Sequence, residues 1–304
     1  MKPGLLIYNA KAGRRNFPDV SKLLAALPEA EAISIGEATP ARLRESSWVA
    51  VAGGDGTVES MATHLIDTDI PLGIIAAGTY NNFARSLDLP LDPLEACAII
   101  KRGIARPVDV AFANGRPFFE CMGTGLDAAL YPLGEEIKSG RLQLWVDIFR
   151  KAYGFSQQRF TIEMDRPIGS ALVPGTSTET HRFVHSLEER KGNQVTLSAL
   201  MVVVSNGPLF GMNFHIAPGE RLDDGLLTVT VFSRYSKWEL WWRFFSLAFG
   251  RKDYCPKGVA FRVQSLKISG PVELPVHLDG STQPDIWPIA ITCRPKAVQV
   301  YRRS

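Results

Sequence analysis

Over the first hundred residues the apolar positions fall into two periods that take turns. Short apolar runs at Leu5–Tyr8, Ala32–Ile35, Trp48–Ala52 and Ile70–Ala76 predict strands. Between them, Ser21–Leu27, Pro40–Glu45 and Asn81–Leu87 carry helical spacing. Thr57 opens a further helix, with Val58, Met61, Ala62, Leu65 and Ile66 on one face. Asp92-Pro93-Leu94-Glu95 joins a side-chain acceptor at the N-cap to proline at the first helical position and glutamate at the third. It therefore starts a helix, which runs to Arg102 and stops at Gly103. Strand and helix in alternation predict a parallel or mostly parallel sheet, with any ligand beyond the carboxyl ends of its strands.

From Pro107 the pattern shortens toward period two. Val108–Phe112 and Pro117–Cys121 flank Asn114-Gly115, a hairpin signal. Phe160–Met164, Val195–Val204, Leu226–Phe232, Val259–Ile268, Val272–Leu278 and Ile286–Thr292 follow as strands, with one helix interposed at Leu142–Tyr153. These runs predict a second, largely antiparallel β domain. The expected division is an α/β unit over 1–106 and a β-rich unit over 107–295. The polar stretch Pro174–Gln194 reads as a long loop. Its His181 and His185 have metal-pair spacing but no third ligand nearby, so a solvated pair is the plainer reading.

Candidate chemistry gathers at the strand ends of the first third. Gly53-Gly54-Asp55-Gly56-Thr57 joins a strand to a helix, which makes a phosphate cradle: the N–H groups of the first helical turn point at the anion and the helix dipole favours its charge. Three of its four turn residues are expected to take positive φ or to sit close to another backbone. Asp55 is placed either to hold a divalent metal or to orient the loop. Thr79 can offer a hydroxyl to phosphate, and Asn81 can bond the loop backbone or a nucleotide. Arg85 meets either a phosphate or Asp88 on the next turn. Asn9, Lys11 and Gly13, followed by Arg14 and Arg15, suit the rim of a nucleotide cleft or an ordinary basic loop. Asp223-Asp224-Gly225 by itself is a turn before a strand. The stretch Ser236–Arg251, with Trp238, Trp241, Trp242, Phe244, Phe245 and Phe249 beside basic residues, fits an interfacial membrane helix and a core-packing helix equally well.

Composition narrows the classes. Of 304 residues, 45% are hydrophobic and 21% charged, which suits a water-facing chain with room for two modest cores. A net charge of +3 is too small to argue for nucleic acid, yet it leaves room for a basic face toward anionic lipid. Cys97, Cys121, Cys255 and Cys293 form no C-x-x-C pair and read as reduced thiols. No leader is expected at the N-terminus, and no window approaches the roughly 20 apolar residues of a spanning helix. The expected location is the cytoplasm.

Gly53–Thr57 followed by Pro71–Arg85 resembles the diacylglycerol kinase catalytic domain. More narrowly, it is similar to the bacterial lipid kinases of the superfamily that includes sphingosine and ceramide kinases. NAD kinases and phosphofructokinases share the first motif; the second, at this distance, is more specific. The resemblance implies a Rossmann-like α/β nucleotide domain followed by a sandwich-like β domain of NAD-kinase and diacylglycerol-kinase type, with 296–304 returning to the first. It implies ATP and Mg²⁺, with ATP contacted at Asn9, Gly53, Gly54, Asp55, Gly56, Thr57, Val58, Glu59, Ser60, Gly78, Thr79 and Asn81. Val204–Gly211, Ile216–Pro218 and Arg221–Leu227 resemble the second-domain signature. This implies a structural Mg²⁺ on the carbonyls of Arg221 and Leu226 and the carboxylate of Asp224. Val276–Ser281 resembles the turn beside the transferring phosphate, which implies catalytic roles for Asp279, as the base, and for Asp55.

The chain departs from the family pattern at three places: Glu59-Ser60 stands for Asn-Glu, Asn82 stands where Asp is common, and Ser281 replaces a Glu. His277 and His215 read as packing residues rather than bases. The implied function is ATP-dependent phosphorylation of a lipid hydroxyl, such as that of diacylglycerol, on a lipid presented at the inner membrane face. Contact with the membrane would be peripheral, no nucleic acid is implied, and a homodimer stays open. The alternatives are a kinase for a non-lipid acceptor, such as NAD or a soluble alcohol, and an ATP-binding regulatory protein with impaired catalysis.

Overall fold

The computed structural model describes residues 3–11, 17–137, 146, 150–171, 173, 189–210, 214–215, 221–232, 239, 258–284 and 286–303. Gly13, Arg14, Arg15, His181, His185, the Trp-rich stretch apart from Glu239, and most of 142–153 lie outside them.

The first third alternates as read. β1 (Gly4–Tyr8), α1 (Val20–Ala26), β2 (Ala30–Ser34), α2 (Pro40–Arg44), β3 (Val49–Gly53), α3 (Asp55–Thr63), β4 (Leu72–Ala76), α4 (Asn82–Ser86) and α5 (Pro93–Arg102) follow one another. β2, β1, β3 and β4 lie side by side, all parallel. Every residue of β3 and β4 is buried, as parallel strands with covered faces require. The α5 cap is the one the sequence specified. Asp92 Oδ1 accepts the N–H groups of Leu94 and Glu95 at 2.9 Å, and Gly103 ends the helix at φ 72°. α3 begins two residues earlier than expected, because the Gly54 carbonyl already accepts the N–H groups of Thr57 and Val58.

The rest is mostly strand: β5 (Ala105–Ala113), β6 (Arg116–Phe118), β7 (Cys121–Gly125), α6 (Leu126–Ile137), β8 (Gln158–Met164), β9 (Glu189–Lys191), β10 (Gln194–Ala199), β11 (Met201–Ser205), β12 (Leu209–Phe210), β13 (Phe214–His215), β14 (Leu227–Phe232), β15 (Gly258–Val263), β16 (Ser265–Ser269), β17 (Val276–Leu278), β18 (Ser281–Thr282) and β19 (Ile289–Tyr301). An antiparallel sheet of order β15-β14-β11-β7-β17-β18 packs on the β-rich end of an 11-stranded mixed sheet, giving the sandwich.

Two predicted strands are each two strands. The run 195–204 breaks at Leu200, and 259–268 breaks at Gln264; in both cases the halves belong to different sheets. Each bend keeps its backbone hydrogen bonds. Leu200 donates to the Phe232 carbonyl at 2.8 Å and accepts from the Leu126 N–H at 2.9 Å. Gln264 accepts from the Cys293 N–H at 2.8 Å and donates to the Asp165 carboxylate at 3.1 Å. Both halves of each run bury side chains in the same core, so an apolar run cannot reveal the crossing. The expected strand 272–278 shortens to β17 because a turn from Pro271 to Leu274 takes up its start.

β19 runs between the two ends of the molecule. It pairs antiparallel with β5, pairs with β16 at its start, and meets β4 where Val300 faces Leu72. Phe119 and Leu222, from the second half, lie in the core of the first. The Phe119 ring packs on Phe83 of α4 with centroids 5.4 Å apart.

Candidate functional site

At the carboxyl ends of β3 and β4, two glycine turns press together. A Cβ on Gly78 would lie 2.5 Å from the Gly54 Cα and 2.9 Å from Asn81 Oδ1. This close approach explains the glycines; none of Gly53, Gly54 and Gly56 has positive φ, contrary to part of the expectation. Asn81, itself left-handed at φ 54°, closes the second turn: its Oδ1 accepts the Gly78 N–H at 2.8 Å and its Nδ2 donates to the Gly78 carbonyl at 3.1 Å. Asn9, just past β1, donates to Thr57 Oγ1 at 2.9 Å. Asp55 Oδ1 accepts the Phe83 N–H at 3.2 Å, so it caps α4 and ties the two turns together. Of its two sequence readings, the geometry displays the loop-orienting one. Burial pushes the Asp55 carboxyl up, against the N–H groups of residues 81–83.

Asn9, Gly53–Thr57, Gly78, Thr79 and Asn81 therefore share one rim, with Thr79 exposed and no heavy atom within 4 Å of where a Gly56 Cβ would stand. Two expected contact residues, Val58 and Glu59, do not share it. Val58 is buried in the core and its N–H is spent on Gly54. Ser60 is exposed, and Glu59 is buried toward the second half of the chain. The Arg85 side chain turns to its own loop rather than to Asp88: its Nε donates to the Tyr80 carbonyl at 3.0 Å.

Asp279 comes from the other half. With Gly280 it forms the two-residue turn between β17 and β18, at φ 44° and 83°, where glycine suits the second position. Its Oδ1 accepts the N–H groups of Glu120 and Cys121 at 2.9 Å, and its Oδ2 accepts that of Phe119 at 2.6 Å. Burial nevertheless pushes its carboxyl up to about 6. Beside it, buried His277 bonds Asp127 through Nε2 at 2.8 Å and accepts the Gly280 N–H on Nδ1 at 3.3 Å, which places the ring proton on Nε2. Ser281 is exposed.

Sequence reasoning missed the side chains between these two rims. Glu120, between β6 and β7, accepts from Asn82 Nδ2 at 3.1 Å and is hydrogen-bonded to Glu59 of α3. Burial raises both carboxyls, and the charges of Asp279 and Asp55 raise them further. A hydrogen bond between two carboxyls needs a proton, so the pair holds one between them. The available signal was a lone glutamate inside the apolar run Pro117–Cys121. Asp109 was missed in the same way: buried in β5, it accepts the Gly225 N–H at 2.6 Å and the Lys296 N–H at 2.8 Å. Asn206 joins these parts by donating to the Asp109 and Phe119 carbonyls at 3.1 Å.

The expected cation turn differs from expectation. Asp224 Oδ1 accepts the Leu226 N–H at 3.1 Å, and its Oδ2 is paired with Arg262 at 2.5 Å. Arg221 and Arg302 both reach Asp223. A divalent ion on Asp224 and the carbonyls of Arg221 and Leu226 would have to displace the Arg262 guanidinium and enter among three cations. As arranged, the turn does not fit Mg²⁺. Among the described residues, no group of three or more His, Cys, Asp or Glu is arranged to hold a metal, and no helix is long and apolar enough to cross a membrane.

Residues 3–113 match the diacylglycerol kinase catalytic domain family, and residues 121–302 match the family described as the YegS C-terminal NAD kinase beta sandwich-like domain. A Bacillus subtilis protein named diacylglycerol kinase is 34% identical over 155 residues, which is 46% of this chain and 51% of that one. The chain spans about half the length of that protein and of a second curated relative. A Klebsiella pneumoniae protein named probable lipid kinase YegS-like is 26% identical over 81% of this chain and 77% of its own. The crystal structure of a putative diacylglycerol kinase from Bacillus anthracis shares the fold over 99% of this chain and 97% of that one, at a TM-score of 0.70 and 22% identity.

Proposed function

The chain belongs to the family that joins a diacylglycerol kinase catalytic domain to a YegS-type C-terminal domain, and from that premise we propose that it transfers the γ-phosphate of ATP to a hydroxyl of a lipid. The observation that carries this reading is the pair of glycine turns, locked together by Asp55 and Asn81, facing a group of buried carboxylates from the other half. Backbone N–H groups at the start of α3, with Thr57 and Thr79, receive the phosphates. ATP enters as its Mg²⁺ complex, whose cation neutralises the phosphate oxygens. Asp55 holds the rim in shape. The acceptor hydroxyl enters between 1–106 and 107–295, and its proton passes to the carboxylates gathered around Asp279. Phosphoryl transfer asks mainly for such positioning and charge placement.

The test is transfer of labelled γ-phosphate from ATP, with Mg²⁺, into diacylglycerol, phosphatidylglycerol and a sphingoid base in mixed micelles, beside NAD and glycerol. Label in one lipid class supports the reading and names the substrate. Label in NAD or glycerol alone replaces lipid with a soluble acceptor. ATP binding with no labelled product makes the chain a regulatory protein and points to Ser281 as the cause.

A further inference from the structure

This inference rests on the kinase reading and deepens it. We propose that Glu59 and Glu120 form a two-carboxyl proton relay that takes the acceptor hydroxyl's proton, in place of the carboxylate that Ser281 does not supply.

The placement of donors carries it. Asp279 is the family's expected base, yet its two oxygens already accept three backbone N–H groups. It is therefore a brace that fixes residues 119–121 as much as an acceptor. Its neighbour in the turn, Ser281, has no carboxylate to lend. The carboxylates absent at positions 60, 82 and 281 are matched by two others, Glu59, where the family pattern has Asn, and Glu120. They come from opposite halves of the molecule and meet. Asn82 donates to Glu120 Oε2 at 3.1 Å, and Glu59 bonds Glu120 from the other side. Glu59 Oε1 is buried with no hydrogen-bond donor directed at it, on a side chain 9% exposed. A buried acceptor left in this state is costly, and a hydroxyl donor would satisfy it.

The step balances. The acceptor oxygen forms a bond to the γ-phosphorus as the bond from that phosphorus to the ADP oxygen breaks. The hydroxyl proton passes to the Glu59–Glu120 pair, which already holds one proton between its carboxyls, so the pair ends with a proton on each. Negative charge at Asp55 and Asp279 raises both carboxyls of the pair, which favours uptake of a proton. His277, bonded to Asp127, also accepts the N–H of Gly280 next to Asp279.

The test compares Glu59→Gln, Glu120→Gln and the unaltered chain, with a restoring substitution. Each single variant should keep ATP affinity within about twofold and lose on the order of 100-fold in kcat, the range of general base catalysis. The acid limb of kcat against pH should flatten in Glu120→Gln. Adding Ser281→Glu to Glu59→Gln should regain at least tenfold, and adding Ser281→Gln should regain nothing. Variants that turn over like the unaltered chain with the same pH profile, or equal rescue by Glu and Gln, overturn the relay. Inactivity of the unaltered chain on every acceptor overturns the kinase reading and the relay's role with it. A carboxylic-acid C=O infrared band at pH 7, lost in Glu59→Gln, tests the shared proton without substrate or turnover; its absence from the unaltered protein overturns the pair itself.

Discussion

Asp55 shows how one side chain can fix the shape of a site. By accepting the Phe83 N–H it fixes α4 against the first glycine turn. Replacing a capping carboxylate of this kind costs about 1 kcal/mol, so Asp55→Ala should lower the thermal midpoint by a few degrees and leave a cooperative transition. Label transfer by that variant should fall below detection; retained activity would remove Asp55 from the site. Glu59 tests the opposite balance. Its carboxyl, those of Glu120 and Asp55, and that of Asp279 at about 6 are raised in the folded chain. The native state thus binds more protons than the unfolded state at pH values above the ordinary carboxylate range, and stability falls as pH rises through that window. Glu59→Gln removes one such group. Its midpoint should exceed that of the unaltered chain, by more at pH 8 than at pH 5, and a pH-independent difference in thermal scans would contradict the buried-charge account.

At the scale of elements, the site depends on two turns that can approach because both are glycine. Gly78→Ala would drive a Cβ to 2.5 Å from the Gly54 backbone, which cannot swing aside as a flexible side chain would. Overpacking of this kind costs typically 1–3 kcal/mol. The variant should be less stable in urea, and its ATP affinity should fall by at least tenfold in a direct binding assay. Gly56→Ala is the control: nothing lies within 4 Å of the added atom, so its stability should change little. The strand-end position of these turns was legible in the sequence, because solid apolar runs stop at them. The crossings at Leu200 and Gln264 were not, because both sheets bury the same residue types and the period continues through the bend.

For the whole molecule, the two halves are joined through β19 and through Phe119. The ring of Phe119 sits on Phe83, and the N–H groups of Phe119, Glu120 and Cys121 are held by Asp279, so the packing that joins the halves also places the carboxylates. Phe119→Ala should cost about 3–5 kcal/mol and should lower kcat more than ATP affinity, because the nucleotide rim lies wholly in the first third. Denaturation followed by fluorescence beside the label-transfer assay would check both. Equal loss of ATP affinity and kcat would mean that the rim, too, depends on this contact.

The sequence alone determined the alternation that makes the parallel sheet, the α5 caps, the hairpin at Asn114-Gly115, the antiparallel second half and the glycine turns. Each rests on contacts or conformations within a few residues, where local chemistry decides. Only the tertiary structure decided that Asp55 caps a helix 28 residues away, that Arg262 takes the Asp224 carboxylate, and that Glu59 meets Glu120. These pairings join side chains far apart in the chain. A residue's charge can be read from its letter, but its partner and its burial are set by which surfaces the fold brings together.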